Sequence, residues 1–356
     1  MPMSAKKRAW IAVAVLSSLL AAGAIAYFSR QARSLPSITA GPAAPAPALG
    51  PGSTPTILDQ LPTTPGVAYI DVAALRKLHD SPLASVLGLA GTDPASDRDY
   101  QDFVRDTGFD YTRDLDRAAI AFWPASTSVT PGSLGDNRVI VIAEGRFDGA
   151  KIKARALRYG KIETRGGQSI YEVPGSPPVA LEFLSATRIA LGSGHGTEKL
   201  LASPPSGKRD PAMQARIDRV IGAPIFAVAR TDNLPPGFYD AFRSSPQLGS
   251  FAHDIRSLTL AGQPTGDRIR MTLDAECNSM KNAFEIATLL DGLRMFGSVA
   301  LADPKTRGQM TKEQAGFLIA LASHATLTHQ DRWVRLSLDI TPATLGEPNA
   351  QANSSP

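Results

Sequence analysis

The sequence is poor in the residues that build disulfides, metal centres and catalytic pairs. Its 356 residues include five histidines and one cysteine, Cys277. A single cysteine excludes an intramolecular disulfide and a zinc site made of cysteines. The histidines show neither H-E-x-x-H nor H-x-H spacing, so the sequence predicts no metal and no other cofactor. We interpret Cys277 as a small buried residue between a strand and a helix.

A charge excess is also missing from most of the chain. The net charge is +4, but four of the 37 basic residues and none of the 33 acidic ones lie in the first thirty positions. The remainder therefore carries 33 charges of each sign. Because it is neutral and has no Lys/Arg tract, it lacks the electrostatic footprint of a nucleic-acid-binding protein. We expect no nucleic acid among its partners.

The N-terminus holds a long uncharged run. No charged residue occurs in the 21 positions from Ala9 to Ser29. As a helix this run would span about 31 Å, close to the ~30 Å core of a bilayer. We therefore predict a transmembrane anchor at 9–29 that contacts the lipid bilayer. The basic residues at 6–8, before the run, predict that the N-terminus, residues 1–8, lies in the cytoplasm.

A cleaved signal peptide is the alternative interpretation of this run. Ala24-Ile25-Ala26 matches the small-residue pattern of a cleavage site, with cleavage after Ala26. Both interpretations place the C-terminal domain outside the cytoplasm, in the periplasm or at the cell surface.

Composition divides the rest of the chain. Residues 30–56 are rich in Pro and Ala, which predicts an extended linker, and residues 346–356 have the composition of a disordered tail. Between them we predict two α+β repeats, residues 57–222 and 223–345. Each is expected to form an antiparallel sheet with helices packed on one face.

Apolar periodicity and turn residues predict the elements of the first repeat. Strands are expected at 67–70, 114–123, 138–144, 161–165, 168–173, 178–184 and 187–192. Helices are expected at 71–78, 81–89, 98–107 and 148–158, with a last short helix that Thr197 caps. The acidic cluster of Asp110, Asp114 and Asp116 is typical of a solvated turn.

The second repeat follows the same plan. Its predicted strands are 225–230, 255–262, 268–276, 324–330 and 332–340, and its predicted helices are 278–296 and 311–322. The string IFAVAR at 225–230 matches VAYID at 67–71, and the strands at 138–144 and 268–276 both end in a glutamate before a helix. These matches predict an internal duplication.

Glu144 and Glu276 are the two glutamates that end these matching strands. Paired carboxylates act as acid and base in glycoside hydrolysis when they face each other at about 5–9 Å. The alternative is that each carboxylate stabilises the N-terminus of the helix that follows it.

His195 lies in a glycine-rich string, Gly192-Ser-Gly-His-Gly-Thr197, between a predicted strand and a predicted helix. Backbone N–H groups at such a junction can hold an anion. The spacing matches neither the dinucleotide-binding nor the P-loop motif. The alternative is a turn that requires positive φ.

Three strings resemble an uncharacterised group of membrane-anchored, exported bacterial proteins. They are LPTTPGVAYIDVAALRKL, DYQDFVRDTGFDYTRDLDR and VIAEGRFDGAKIKARAL. The resemblance lies mainly in residues 60–240 and in strand-to-helix junctions. It implies a shared fold and identifies no functional residue.

These observations leave three hypotheses for function. The first is a non-enzymatic, membrane-anchored envelope module that binds another envelope protein or an envelope component. The second is an exported hydrolase with dispersed active-site residues around His195 and Glu144, which would need His195 beside a carboxylate or hydroxyl in one pocket. The third is a carrier of lipid or lipoprotein, which would need an apolar cavity.

Overall fold

The computed structural model describes residues 57–77, 98–123, 138–165, 167–174, 178–201, 210–233, 253–266, 268–303, 319 and 322–340. They form two compact units. The first comprises the described residues of 57–76 and 98–233, and the second comprises those of 253–340. The predicted anchor, linker, tail, helix 81–89 and most of helix 311–322 lie outside the described residues. No helix in the described ranges is long and apolar enough to cross a membrane.

The first unit is an eight-stranded antiparallel sheet. Its strands are β1 (Gly66–Asp71), β2 (Leu115–Trp123), β3 (Arg138–Gly145), β4 (Lys161–Arg165), β5 (Gln168–Val173), β6 (Val179–Phe183), β7 (Arg188–Ser193) and β8 (Ile225–Arg230). They lie side by side in the order β8-β1-β2-β3-β7-β6-β5-β4. Its helices are α1 (Val72–Arg76), α2 (Arg98–Thr107), α3 (Tyr111–Asp114), α4 (Gly149–Tyr159), α5 (Thr197–Leu201) and α6 (Pro211–Asp218).

The unit boundary and the boundary between the two sequence repeats differ. Strand β8, which begins the second repeat, pairs antiparallel with β1 and places Ala227 opposite Ala68. The first compact unit therefore includes β8.

Helices cover both faces of the first sheet. Helix α4 packs through Ala156 on a cluster that includes Ala143 and Leu181. On the opposite face, α5 sits so close to Gly192 that a Cβ there would lie 2.7 Å from the Cβ of Thr197. The prediction that helices lie on one face is therefore wrong for this unit. Consecutive buried residues such as Ala118–Ala121 in β2 show the same two-sided burial.

Side-chain caps determine where several helices begin. The Asp71 carboxylate accepts a hydrogen bond from the backbone N–H of Ala74 at 2.7 Å, and Asp148 accepts one from Lys151 at 3.1 Å. Both confirm predicted helix starts. Helix α6 was not predicted, although Asp210 caps it and Pro211 occupies its first turn, a recognisable start signal.

Two local predictions are wrong. Helix α5 begins at Thr197 as predicted, but the Thr197 hydroxyl does not cap it and instead donates a hydrogen bond to the Gly194 carbonyl at 2.8 Å. Asp114 is not in a solvated turn, because it is buried and Arg113 and Arg146 both bind its carboxylate. The Arg113 guanidinium is the main reason that the pKa of Asp114 falls to about 2.

The second unit is a four-stranded antiparallel sheet with one long helix. Its elements are β9 (Ile255–Thr265), β10 (Arg268–Cys277), α7 (Met280–Ala302), β11 (Thr326–Gln330) and β12 (Trp333–Ile340), and the strand order is β11-β12-β10-β9. Helix α7 packs on Ala275, Cys277 and Val334. Cys277 is fully buried at the end of β10, which confirms its predicted place, and burial raises the pKa of its thiol to about 11.

We expect Gly145→Ala to destabilise the first unit. A Cβ at position 145 would overlap the backbone carbonyl oxygen of Asp114, which cannot rotate away. Such overpacking should lower the free energy of unfolding by about 1–3 kcal/mol, measurable by urea denaturation.

Gly297→Ala is the matched control. This glycine lies inside α7, and an added Cβ would meet no atom within 4 Å. Alanine should stabilise the helix by up to about 1 kcal/mol. An equal loss of stability in both variants would contradict the steric argument.

Candidate functional site

Glu144 lies in a row of alternating charges across four strands. Cross-strand pairing places Asp71 opposite Arg117, Arg117 opposite Glu144, and Glu144 opposite Arg188. The Glu144 carboxylate accepts hydrogen bonds from Arg117 at 3.2 Å and Arg188 at 2.8 Å. Two guanidinium groups therefore hold this carboxylate in a row of ion pairs between neighbouring strands.

Glu276 occupies a comparable setting in the second unit. Its buried carboxylate accepts a hydrogen bond from the Ser257 hydroxyl at 3.0 Å, and the Arg332 guanidinium lies 3.0 Å from its other oxygen. Nearby, Arg335 binds the buried Asp274 through two hydrogen bonds of 2.6 Å. Glu276 thus belongs to a set of cross-strand ion pairs within its own unit.

The helices that follow the two glutamates are capped by other side chains. Asp148 caps α4, as described above. The Ser279 hydroxyl caps α7 by accepting a hydrogen bond from the backbone N–H of Asn282 at 3.1 Å.

His195 lies on an exposed turn between two glycines with positive φ. Gly194 has φ 105° and Gly196 has φ 82°, as the turn interpretation required. Among the described residues, no carboxylate or hydroxyl lies within hydrogen-bonding distance of its ring. The arrangement that a His195-based hydrolase needs is therefore not formed by this part of the chain.

A groove of about 440 Å³ lies beside this turn, and its lining includes Lys161, Glu172, Thr197 and Glu198. The Glu172 carboxylate is held by Lys161 at 3.2 Å and Arg165 at 3.0 Å. His195 does not line the groove. The lining combines these charged side chains with apolar ones from β5 and β6.

Helix α7 presents the most unusual surface of the described residues. Its inner face packs on the sheet through Ala283, Ile286 and Ala287. Its outer face carries four large apolar side chains that are mostly exposed to solvent. They are Met280 (67% exposed), Phe284 (58%), Met295 (60%) and Val299 (72%). We call these four residues the outer stripe.

Most large exposed apolar residues of the described chain belong to the outer stripe. The other three are Leu157, Ile162 and Leu273. Scattered exposed apolar residues are ordinary, but a row along one helix face marks an interaction surface. Sequence periodicity predicted the inner face and missed the outer stripe. The available signal was that α7 is apolar on more than one side, unlike an ordinary surface helix.

One buried carboxylate, Glu182, has a distinct electrostatic setting. Its side chain on β6 is buried, between Ile170 and Ala190 on the neighbouring strands. Burial raises the pKa of Glu182, because a charged carboxylate loses its hydration there.

This setting predicts that Glu182→Gln stabilises the protein at neutral pH. The unfolded chain releases the Glu182 proton near its ordinary pKa of 4.5, whereas the folded chain retains it to higher pH. The contribution of Glu182 to stability therefore falls as pH rises above about 4.5. Thermal denaturation should show a higher melting temperature for Glu182→Gln at pH 7–8 and little difference below pH 4.

Glu144→Gln provides the opposite control. Removing a charge that two arginines bind should lower stability at neutral pH by up to about 1 kcal/mol. If both variants changed the melting temperature in the same direction at pH 7–8, the assignment of Glu182 as a destabilising buried acid would be wrong.

Comparison with known proteins assigns no family. No protein-family model and no curated protein matches the chain. Among solved structures, crystal forms III, I and IV of TP0453 are similar, with 12%, 11% and 12% identity and TM-scores of 0.45, 0.41 and 0.42. These matches cover 81%, 82% and 85% of this chain and 95%, 96% and 98% of those chains. Because identity and score are this low, the likeness assigns no function.

Proposed function

We propose that this chain is a membrane-anchored, extracytoplasmic module of the cell envelope that binds another protein and does not act by catalysis. The observation that carries the proposal is the outer stripe of α7. Four large apolar side chains exposed along one helix face are costly in water, and burial against a partner removes that cost.

The setting of the candidate catalytic groups supports binding over catalysis. Glu144 and Glu276 are engaged by arginines within their own units, and His195 is exposed on a turn. A general acid or base needs a poised proton and a pocket shared with a second group. Glu144 pairs with Arg188 at the start of β7, whereas His195 follows the end of that strand, so these two side chains do not share a pocket.

The N-terminal pattern supports the location. The uncharged run at 9–29, with basic residues before it, is typical of an anchor, and the Pro/Ala-rich segment 30–56 is typical of a tether. The resemblance of residues 60–240 to anchored exported proteins agrees with this proposal.

Internal duplication is also part of the proposal. In the first unit, the hairpin β2–β3 is followed by α4, and the chain returns so that β7 pairs with β3. In the second unit, the hairpin β9–β10 is followed by α7, and β12 pairs with β10. The same order of hairpin, helix and returning strand supports a common ancestral plan.

Cell fractionation tests the location. We expect the whole chain to stay with the membrane fraction after salt and carbonate washes, whereas a version lacking residues 1–30 becomes soluble. Mass spectrometry of the N-terminus separates the two interpretations, because cleavage after Ala26 leaves Tyr27 as the first residue. Recovery of the intact protein in the cytosol would contradict the proposal.

Site-specific photo-crosslinking in intact cells tests the binding surface. With a benzoyl-phenylalanine in place of Phe284, we expect one dominant protein adduct, since a bound partner would lie against the ring. The same probe at Leu157, an apolar position on α4 that is 47% exposed, is the control.

Substitution Met295→Lys should reduce the Phe284 adduct about tenfold, because a charge in the apolar interface must be desolvated. An adduct pattern that is the same at both probe positions, or that Met295→Lys leaves unchanged, would show that the outer stripe is not a specific binding surface.

A further inference from the structure

The four residues of the outer stripe have the same spacing along α7 in either chain direction. Met280 and Phe284 are four residues apart, Met295 lies eleven further on, and Val299 lies four beyond it. At about 100° per residue, all four fall within an arc of roughly 100°. The stripe is therefore symmetric about a point between residues 289 and 290.

We infer that the partner of this surface is a second copy of the chain, with the two α7 helices packed antiparallel about a twofold axis at that point. The inference rests on the proposed function and identifies the partner. A twofold interface uses the same patch on both subunits, so the patch must be self-complementary. The symmetric spacing meets this condition, because Met280 faces Val299 of the partner subunit and Phe284 faces Met295 of the partner subunit.

The polar residues near the axis are compatible with this packing. Thr288 and Asp291 lie at equal distances on either side of the symmetry point. In the dimer, Thr288 therefore faces Asp291 of the partner subunit. The Asp291 carboxylate already accepts hydrogen bonds from Arg294 at 2.9 and 3.0 Å. Its charge is thus compensated within the helix, and a few polar residues near the axis favour one register of an apolar helix pair.

Charge on α7 favours a like partner over a membrane surface. The helix carries Lys281, Glu285, Asp291 and Arg294, which sum to zero. Interfacial helices that lie on bilayers usually combine an apolar face with an excess of Lys and Arg. A neutral helix with a symmetric apolar stripe lacks that attraction and suits a second neutral helix.

The apolar area that the outer stripe exposes suits a weak dimer whose two copies are anchored in the same membrane. The four side chains offer on the order of 400 Å² of apolar surface per copy, or on the order of 800 Å² for two copies. This apolar area is smaller than the lower limit for specific interfaces, about 1,200 Å². An interface of this size gives weak association in solution, and anchoring both copies in one membrane raises their effective concentration.

Cysteine crosslinking between two tagged copies tests the arrangement. Met280→Cys is placed in one copy and Val299→Cys in the other, both as whole chains in membranes under mild oxidation. Positions 280 and 299 of opposite copies should lie within the ~7 Å Cα distance that a disulfide needs. Two copies of position 280 should be about 28 Å apart along the helices. We expect the mixed disulfide to exceed either same-position disulfide at least fivefold.

Three controls accompany this measurement. The unsubstituted protein reports any reaction of Cys277, which is fully buried. Leu157→Cys with Ile162→Cys reports random collision, since both residues are 47% exposed and lie outside α7. Adding Met295→Lys to both copies should reduce the mixed disulfide about tenfold, and circular dichroism shows that each variant is folded.

The outcomes separate this inference from the proposed function. Dominant same-position disulfides, or mixed disulfides no more frequent than for the collision control, would overturn the antiparallel dimer. If the Phe284 probe still gave an adduct with a different protein, the binding module would stand and its partner would be another envelope protein. An adduct within the same chain would show that the stripe is covered by one of its own segments, and both proposals would fall.

Discussion

Two-sided burial of strands β2 and β3 is the constraint on which the first unit depends. Because helices pack on both faces of the sheet, the central positions of these strands must be small or apolar, as Ala118–Ala121 and Ile140–Ala143 are. Charged residues are therefore confined to the strand ends. There the register aligns Asp71, Arg117, Glu144 and Arg188 into one row.

This constraint explains why the conspicuous carboxylates are paired with arginines. A buried or half-buried carboxylate requires compensation by opposite charge or hydrogen bonds. In both units the compensation comes from arginines on the neighbouring strand, as with Glu144 and Arg188 or Asp274 and Arg335. Glu182 is the contrasting case, because burial alone dominates its pKa.

Helix α7 connects the fold with the proposed role. Its inner face completes the core of the second unit on Ala275 and Cys277, so the helix is held in place by its own sheet. Its outer face does not contribute to that core. A rigidly placed helix with an apolar outer face loses little conformational entropy when a partner covers it, which favours recognition. In the proposed dimer, anchoring would limit the search to two dimensions.

Local patterns in the sequence determined the hairpins, most strands and the capped helices, because turn residues, caps and apolar periodicity act over a few residues. They predicted β4 to β7 nearly at their observed bounds, the helix starts after Asp71 and Asp148, and the buried corner at Cys277. Only the tertiary structure decided that Glu144 pairs with Arg188, 44 residues away. It also decided that helices cover both faces of the first sheet and that the outer stripe of α7 stays exposed. These features depend on register and on which surfaces remain uncovered, and both are set by contacts between residues far apart in the chain.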